Sequence, residues 1–176
     1  MNRKQSQGIS LLELLTALSI SAILCTAATP IIGIVAKYRL STSQSNLHLL
    51  VVKARQDALT LRARITLCPL SDDNRCQNNW QGSISEFTDD NGNRTLDAQD
   101  QLLSRIEIPE KIQTRWRGMR PNNSIHFHST GSTFVSNGTF TQCHPGLTES
   151  LQLIINRQGR TRSARQTAEC PPPTTF

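Results

Sequence analysis

Aromatic side chains are scarce in this 176-residue chain: two Trp, one Tyr and five Phe make up 5% of it. Hydrophobic residues of all kinds reach only 36%, so any core must lean on Leu, Ile and Val. Acids are missing from one conspicuous place, the stretch NRQGRTRSAR at 156–165, which carries Arg157, Arg160, Arg162 and Arg165. Charge is almost missing from another: between Lys4 and Lys37 the one charged residue is Glu13. No cysteine pair has the CxxC spacing of a zinc site. No spacing or nucleophile context ties Ser, His and Asp into a catalytic set, so no enzyme, no metal and no cofactor is expected. No internal repeat occurs. What remains is one modest domain plus an extra segment.

The charge present is unevenly placed. The net charge is +6, which suits anionic partners without identifying one. From Arg105 onward there are nine Lys and Arg against four acids, whereas 72–100 is acidic. Of five cysteines, Cys25 sits in an apolar stretch and reads as an inert buried thiol. Cys68, Cys76, Cys143 and Cys170 lie in polar sequence. An even set in an exported region reads as two disulfides. The shortest loops favour Cys68 with Cys76 and Cys143 with Cys170, although four cysteines allow three pairings.

The apolar run 14–36 is long enough to span a bilayer as a helix, for which ~20 residues suffice. A plain signal anchor is the simplest explanation. A cleaved secretory signal fits poorly, because Glu13 interrupts the start of the apolar core. Beyond Pro30, the residues Leu40, Leu47, Leu50, Val51, Ala54, Ala58, Leu61 and Ile65 recur at three- and four-residue steps, an apolar stripe on a helix. One helix from Ile9 to about Arg62 would measure ~80 Å. The sequence then changes period. RITLCPL, GSISEFT, LLSRIEI, KIQTRWR, SIHFHS, GTFTQC and LQLIIN read as short strands, with GSISEFT and LLSRIEI forming a hairpin. The expected plan is α+β, a helix laid on a twisted antiparallel sheet.

The basic leader MNRKQSQG ends in Gly8, the apolar run starts at Ile9, and Glu13 is its fifth residue. This resembles the class III signal of type IV pilins and type II secretion pseudopilins, with Ile9 standing where phenylalanine is commoner. The resemblance implies a type IV pilin fold. It also implies cleavage after Gly8 and N-methylation of Ile9 by a prepilin peptidase. Glu13 would pair with a neighbouring subunit's N-terminal amine during assembly; an intramembrane carboxylate calls for such a partner in any case. The implied organisation is a leader at 1–8, a transmembrane and filament-core helix at 9–37, its amphipathic half at 38–65 and a β-rich domain at 66–176. The subunit would be single-pass in the inner membrane with a periplasmic domain, then part of an extracellular pilus beside other major and minor pilins.

Within that superfamily the chain is similar to the FimT/GspH branch. The residues carrying this are Cys68-Pro69, the hairpin from Asp90 to Leu103, Ile125-His126-Phe127 with Gly131, and Gly159-Arg160-Thr161-Arg162. The last of these resembles the ending of FimT-type minor pilins, which bind DNA for natural transformation. The alternative is a structural minor pilin or GspH-like pseudopilin that primes or caps a filament without binding DNA.

Arginine chemistry agrees with the first of these. Arg160 and Arg162 would point the same way on a strand, and each guanidinium can donate two parallel hydrogen bonds to a phosphate. Such contacts carry no sequence information. Gly159 provides a tight turn or a close backbone approach. Arg157 and Arg165 extend the patch, and Arg115, Arg117 and Arg120 form a second cluster with Lys111 nearby. Trp116, between two of these arginines, reads as a core anchor. The loop 89–100 echoes the spacing of a calcium loop, but Arg94 stands where glycine is required, and it reads as a hairpin loop. His126 and His128 read as sheet residues.

Overall fold

The computed structural model describes residues 10–119, 122–167 and Cys170, without the side chains of 24–32. The chain divides into two units, Met1–Val35 and Ala36–Phe176. Helix α1, Leu11–Leu61, begins in the first and ends in the second. In the first unit Leu11, Leu12, Leu15 and Leu18 are exposed, and Glu13 stands exposed in the first turn. The expected bilayer span 14–36 includes side chains outside the described residues. Among the described residues no helix is long and apolar enough to cross a membrane.

In the second unit α1 buries Leu40, Leu47, Leu50, Val51, Ala54 and Ala58, the face set by the three- and four-residue spacing. Leu61 and Ile65 depart from that expectation. Leu61 is the last helical residue and lies exposed, because Arg62 takes φ 54° and ends the helix there; the helix therefore stops short of 65, and Ile65 opens the strand Ile65–Cys68 instead.

Among the described residues eight strands follow: β1 Ile65–Cys68, β2 Ser83–Thr88, β3 Leu102–Glu107, β4 Gln113–Gly118, β5 Ile125–Phe127, β6 Gly138–Cys143, β7 Glu149–Ile155 and β8 Thr161–Thr167. The expected single sheet is two. One has the order β3-β2-β1-β5 and the other β4-β6-β7-β8, and every pairing is antiparallel. β3 and β4 belong to different sheets, with Pro109 between them, where proline lacks the N–H that a ladder needs. Trp80, Trp116 and Phe140 form an aromatic cluster, with Trp80 centred 6.0 Å from Trp116 and 5.1 Å from Phe140. So Trp116 is core, as expected. Disulfides join Cys68 to Cys76 and Cys143 to Cys170, with Cα atoms 5.4 and 5.5 Å apart.

Candidate nucleic-acid interface

The second sheet has a covered face and an open one, and strand alternation assigns each residue to one of them. On the covered face the register aligns Trp116, Phe140 and Leu153, all buried, with Ser163. Gln142 is buried there too and donates to Ser43 of α1 at 3.1 Å and to Thr114 at 3.0 Å. The next row along the sheet belongs to the open face: Arg117, Thr139, Ile154 and Arg162. Beside it lie Arg115, Thr141, Gln152 and Ala164. The arginines of these rows are exposed.

The two basic clusters, some forty residues apart in sequence, therefore share one surface. Three interstrand steps of ~4.8 Å put the backbones of Arg117 and Arg162 roughly 14 Å apart, comparable with the ~12 Å width of a DNA major groove. Thr139 and Thr141 lie between them, half-exposed, with hydroxyls able to donate to phosphate.

The β7–β8 turn is rigidly built. Asn156 N–H donates to the Arg160 carbonyl at 3.0 Å, Gly159 N–H to the Asn156 carbonyl at 2.9 Å, and Arg160 N–H to Asn156 Oδ1 at 2.9 Å. Gly159 takes φ 72°, and a Cβ there would collide with the Gly131 carbonyl and press on the Arg55 side chain. Both uses foreseen for this glycine are realised. α1 secures the turn through two residues that the sequence did not single out. His48 bonds Thr161 Oγ1 at 2.8 Å, and Arg55 Nε donates to the Gly131 carbonyl at 3.1 Å. Their seven-residue spacing, which places both on one side of the helix, is the one signal that could have found them.

Arg157 and Arg160 are exposed in this turn and Lys111 is exposed ahead of β4. Arg165 does not join Arg162. It aligns with Leu151 and Gln142 on the opposite face, and its Nη1 pairs with Glu149 at 3.4 Å. Arg120, Gly8 and Ile9 lie outside the described residues. The Cys143–Cys170 disulfide ties the chain beyond β8 back to β6.

The loop 89–100 connects β2 to β3 and is held both internally and by its neighbours, Cys76 N–H donating to the Arg94 carbonyl at 3.0 Å and Leu96 N–H to the Asn74 carbonyl at 2.8 Å. Asn91 and Asn93 side chains donate to Asp97 at 3.0 and 3.1 Å, and Gly92 and Arg94 both take positive φ, 70° and 61°. Those two bonds and the Gln99 backbone N–H, the strongest influence, hold the Asp97 carboxyl below its ordinary pKa. Among the described residues no group of three or more His, Cys, Asp or Glu could hold a metal. Ser124, His126, Thr66 and Asp89 form a buried chain. Ser124 Oγ lies 3.2 Å from His126 Nε2, His126 Nδ1 lies 2.8 Å from Thr66 Oγ1, and Thr66 donates to Asp89 at 2.7 Å. Burial, aided by the Arg64, Arg94 and His128 charges, pushes the His126 pKa down to about 3. The ring is therefore neutral at ordinary pH. Arg94 Nε donates to its Nε2 at 3.1 Å, so the chain ties β1 and β5 to the loop.

The family model described as "Type II transport protein GspH" matches residues 44–159. The model described as "Prokaryotic N-terminal methylation motif" matches residues 3–29. Among solved structures, the type IV minor pilin FimU of Pseudomonas aeruginosa is similar at a TM-score of 0.56 and 18% identity, covering 72% of this chain and 88% of that one. A second crystal form of FimU gives a TM-score of 0.52 over 71% and 92% of the two chains, again at 18% identity. No curated protein matches the sequence significantly.

Proposed function

The chain belongs to the GspH family of type IV pilin-like proteins, and from that premise we propose that it is a minor pilin whose open sheet face binds DNA without sequence preference for uptake in natural transformation. Membership implies association with other pilins in a filament, and the methylation motif implies a membrane-anchored subunit with a soluble domain. The fold agrees with a minor pilin. One observation carries the DNA reading: Arg115, Arg117 and Arg162 share the open face, with Arg157 and Arg160 exposed in the turn next to it. Phosphates spaced along a nucleic-acid strand match such a surface, and backbone contacts suit a receptor for DNA of any sequence.

A gel shift with the full-length protein in detergent micelles tests this. Wild type is expected to shift duplexes of unrelated sequence, and Arg160→Gln with Arg162→Gln to remove most of the shift. A wild type that leaves DNA free at low salt defeats the proposal. In that event the second reading, a structural pseudopilin, gains, and it already has support in the secretion component named by the family model. That match ends at Gly159, before Arg160 and Arg162. In the proposed life cycle the subunit sits in the inner membrane with its soluble domain in the periplasm. A prepilin peptidase cuts after Gly8 and methylates Ile9, and Glu13 serves assembly before the subunit joins the extracellular pilus. Mass spectrometry of the mature chain should find N-methylated Ile9 at its start; an intact leader would refute that step.

A further inference from the structure

Aromatic residues are few, and most of the described ones are buried: Trp80, Phe87, Trp116, Phe127 and Phe140. Tyr38, on α1, is exposed, and the other exposed one is Phe134. It is 56% exposed, beside Val135, which is 55% exposed. Its backbone takes φ 43° in a four-residue turn closed by Ser136 N–H donating to the Thr133 carbonyl at 2.8 Å. Phe134 occupies the second position, where a positive φ calls for glycine. A side chain held there costs conformational energy, and such strain is concentrated where a side chain is displayed for use.

The position of the turn suggests that use. Thr133 N–H donates to the Arg157 carbonyl at 3.0 Å and its hydroxyl to the Asn156 carbonyl at 2.9 Å. Phe134 is thus held one residue from a direct bond to the arginine turn. His128 braces its ring from one side in a T-shaped contact with centroids 5.1 Å apart. An exposed, braced aromatic beside cations is the arrangement that receives an unpaired base while the cations take its phosphates.

Building on the DNA reading of the arginine turn, we propose that Phe134 is a stacking platform for an unpaired base, so that the site prefers single-stranded DNA or a frayed end to a closed duplex. In a closed duplex the base faces are occupied by their neighbours; in a single strand they are free. Val135 widens the apolar platform, and Arg157 and Arg160 hold the strand that passes over it.

The experiment measures binding of full-length protein in detergent micelles to an oligothymidylate and to a blunt duplex of equal length. Phe134→Ala and Phe134→Gly should each weaken oligothymidylate binding by about tenfold and leave duplex binding unchanged. Phe134→Gly should also raise the melting temperature, because glycine accepts the backbone conformation without strain; this separates lost stacking from lost folding. In Phe134→Trp, oligothymidylate should quench the new indole, while Trp80 and Trp116 stay shielded in the core. If both Phe134 variants bind both DNAs like wild type, or weaken both equally, while the Arg160→Gln, Arg162→Gln protein loses both, stacking is wrong and the DNA reading stands. If the arginine variant binds both DNAs like wild type, the DNA reading of the arginine turn falls and the platform falls with it.

Discussion

Gly159 shows how much one residue position decides. Its φ of 72° and the Gly131 carbonyl packed against it leave no room for a Cβ. Gly159→Ala should therefore cost about 2–3 kcal/mol and lower the melting temperature by roughly 5 °C or more, with weaker DNA binding because the arginine turn must shift. Calorimetry reading an unchanged melting temperature would contradict this account. The sequence made the glycine legible, since Gly-Arg-x-Arg after an apolar strand already suggests a turn. It did not reveal what the glycine packs against, because Gly131 and Arg55 are distant in the chain. The same limit applies to Arg165. Spacing alone put it with its neighbours, yet three residues from Arg162 on a strand means the opposite face, and there it meets Glu149.

The helix and the first sheet are joined through the buried Glu86 carboxyl. Lys53 of α1 bonds both Asp57 and Glu86 of β2, the latter at 3.0 Å. Burial raises the Glu86 pKa to about 7; the Lys53 bond and charge oppose this, and Asp57 adds to it. The folded state thus holds this proton more tightly than the unfolded chain, whose carboxyl titrates near 4.5. The stability it contributes is fully present below pH 4.5 and is lost as pH rises through about 7. His126 works the other way, its depressed pKa removing stability as pH falls below 6.5. The clean measurement is therefore the difference between wild type and Glu86→Gln in denaturant titrations. Relative to the variant, wild type should lose on the order of 2–3 kcal/mol between pH 4.5 and 7.5; a constant difference would exclude the effect. At this scale the sequence was generous where periodicity is local. Seven strands and the buried helix face follow from alternation and from three- and four-residue spacing. β8 was harder to recognise, since Ala164 alone among its residues is apolar, as an edge strand tolerates. The division into two sheets was not readable, because pairing partners far apart in the chain leave no local pattern.

Across the whole molecule, the net charge of +6 becomes a surface only through register. β4 and β8 lie at the two edges of one sheet, and their arginines meet on its open face. The sequence could name both clusters but could not say that they face the same way. The covered face belongs to α1 and the core, which leaves the arginines of the open face exposed. Salt dependence tests this central claim most directly. With full-length protein and a non-specific duplex, the logarithm of affinity should fall linearly with the logarithm of salt concentration. Arg117→Gln and Arg162→Gln, at opposite edges of the sheet, should each reduce that slope by ~0.9 and together by about twice as much. Slopes identical to wild type in both variants, or no binding by wild type even at low salt, would contradict the account.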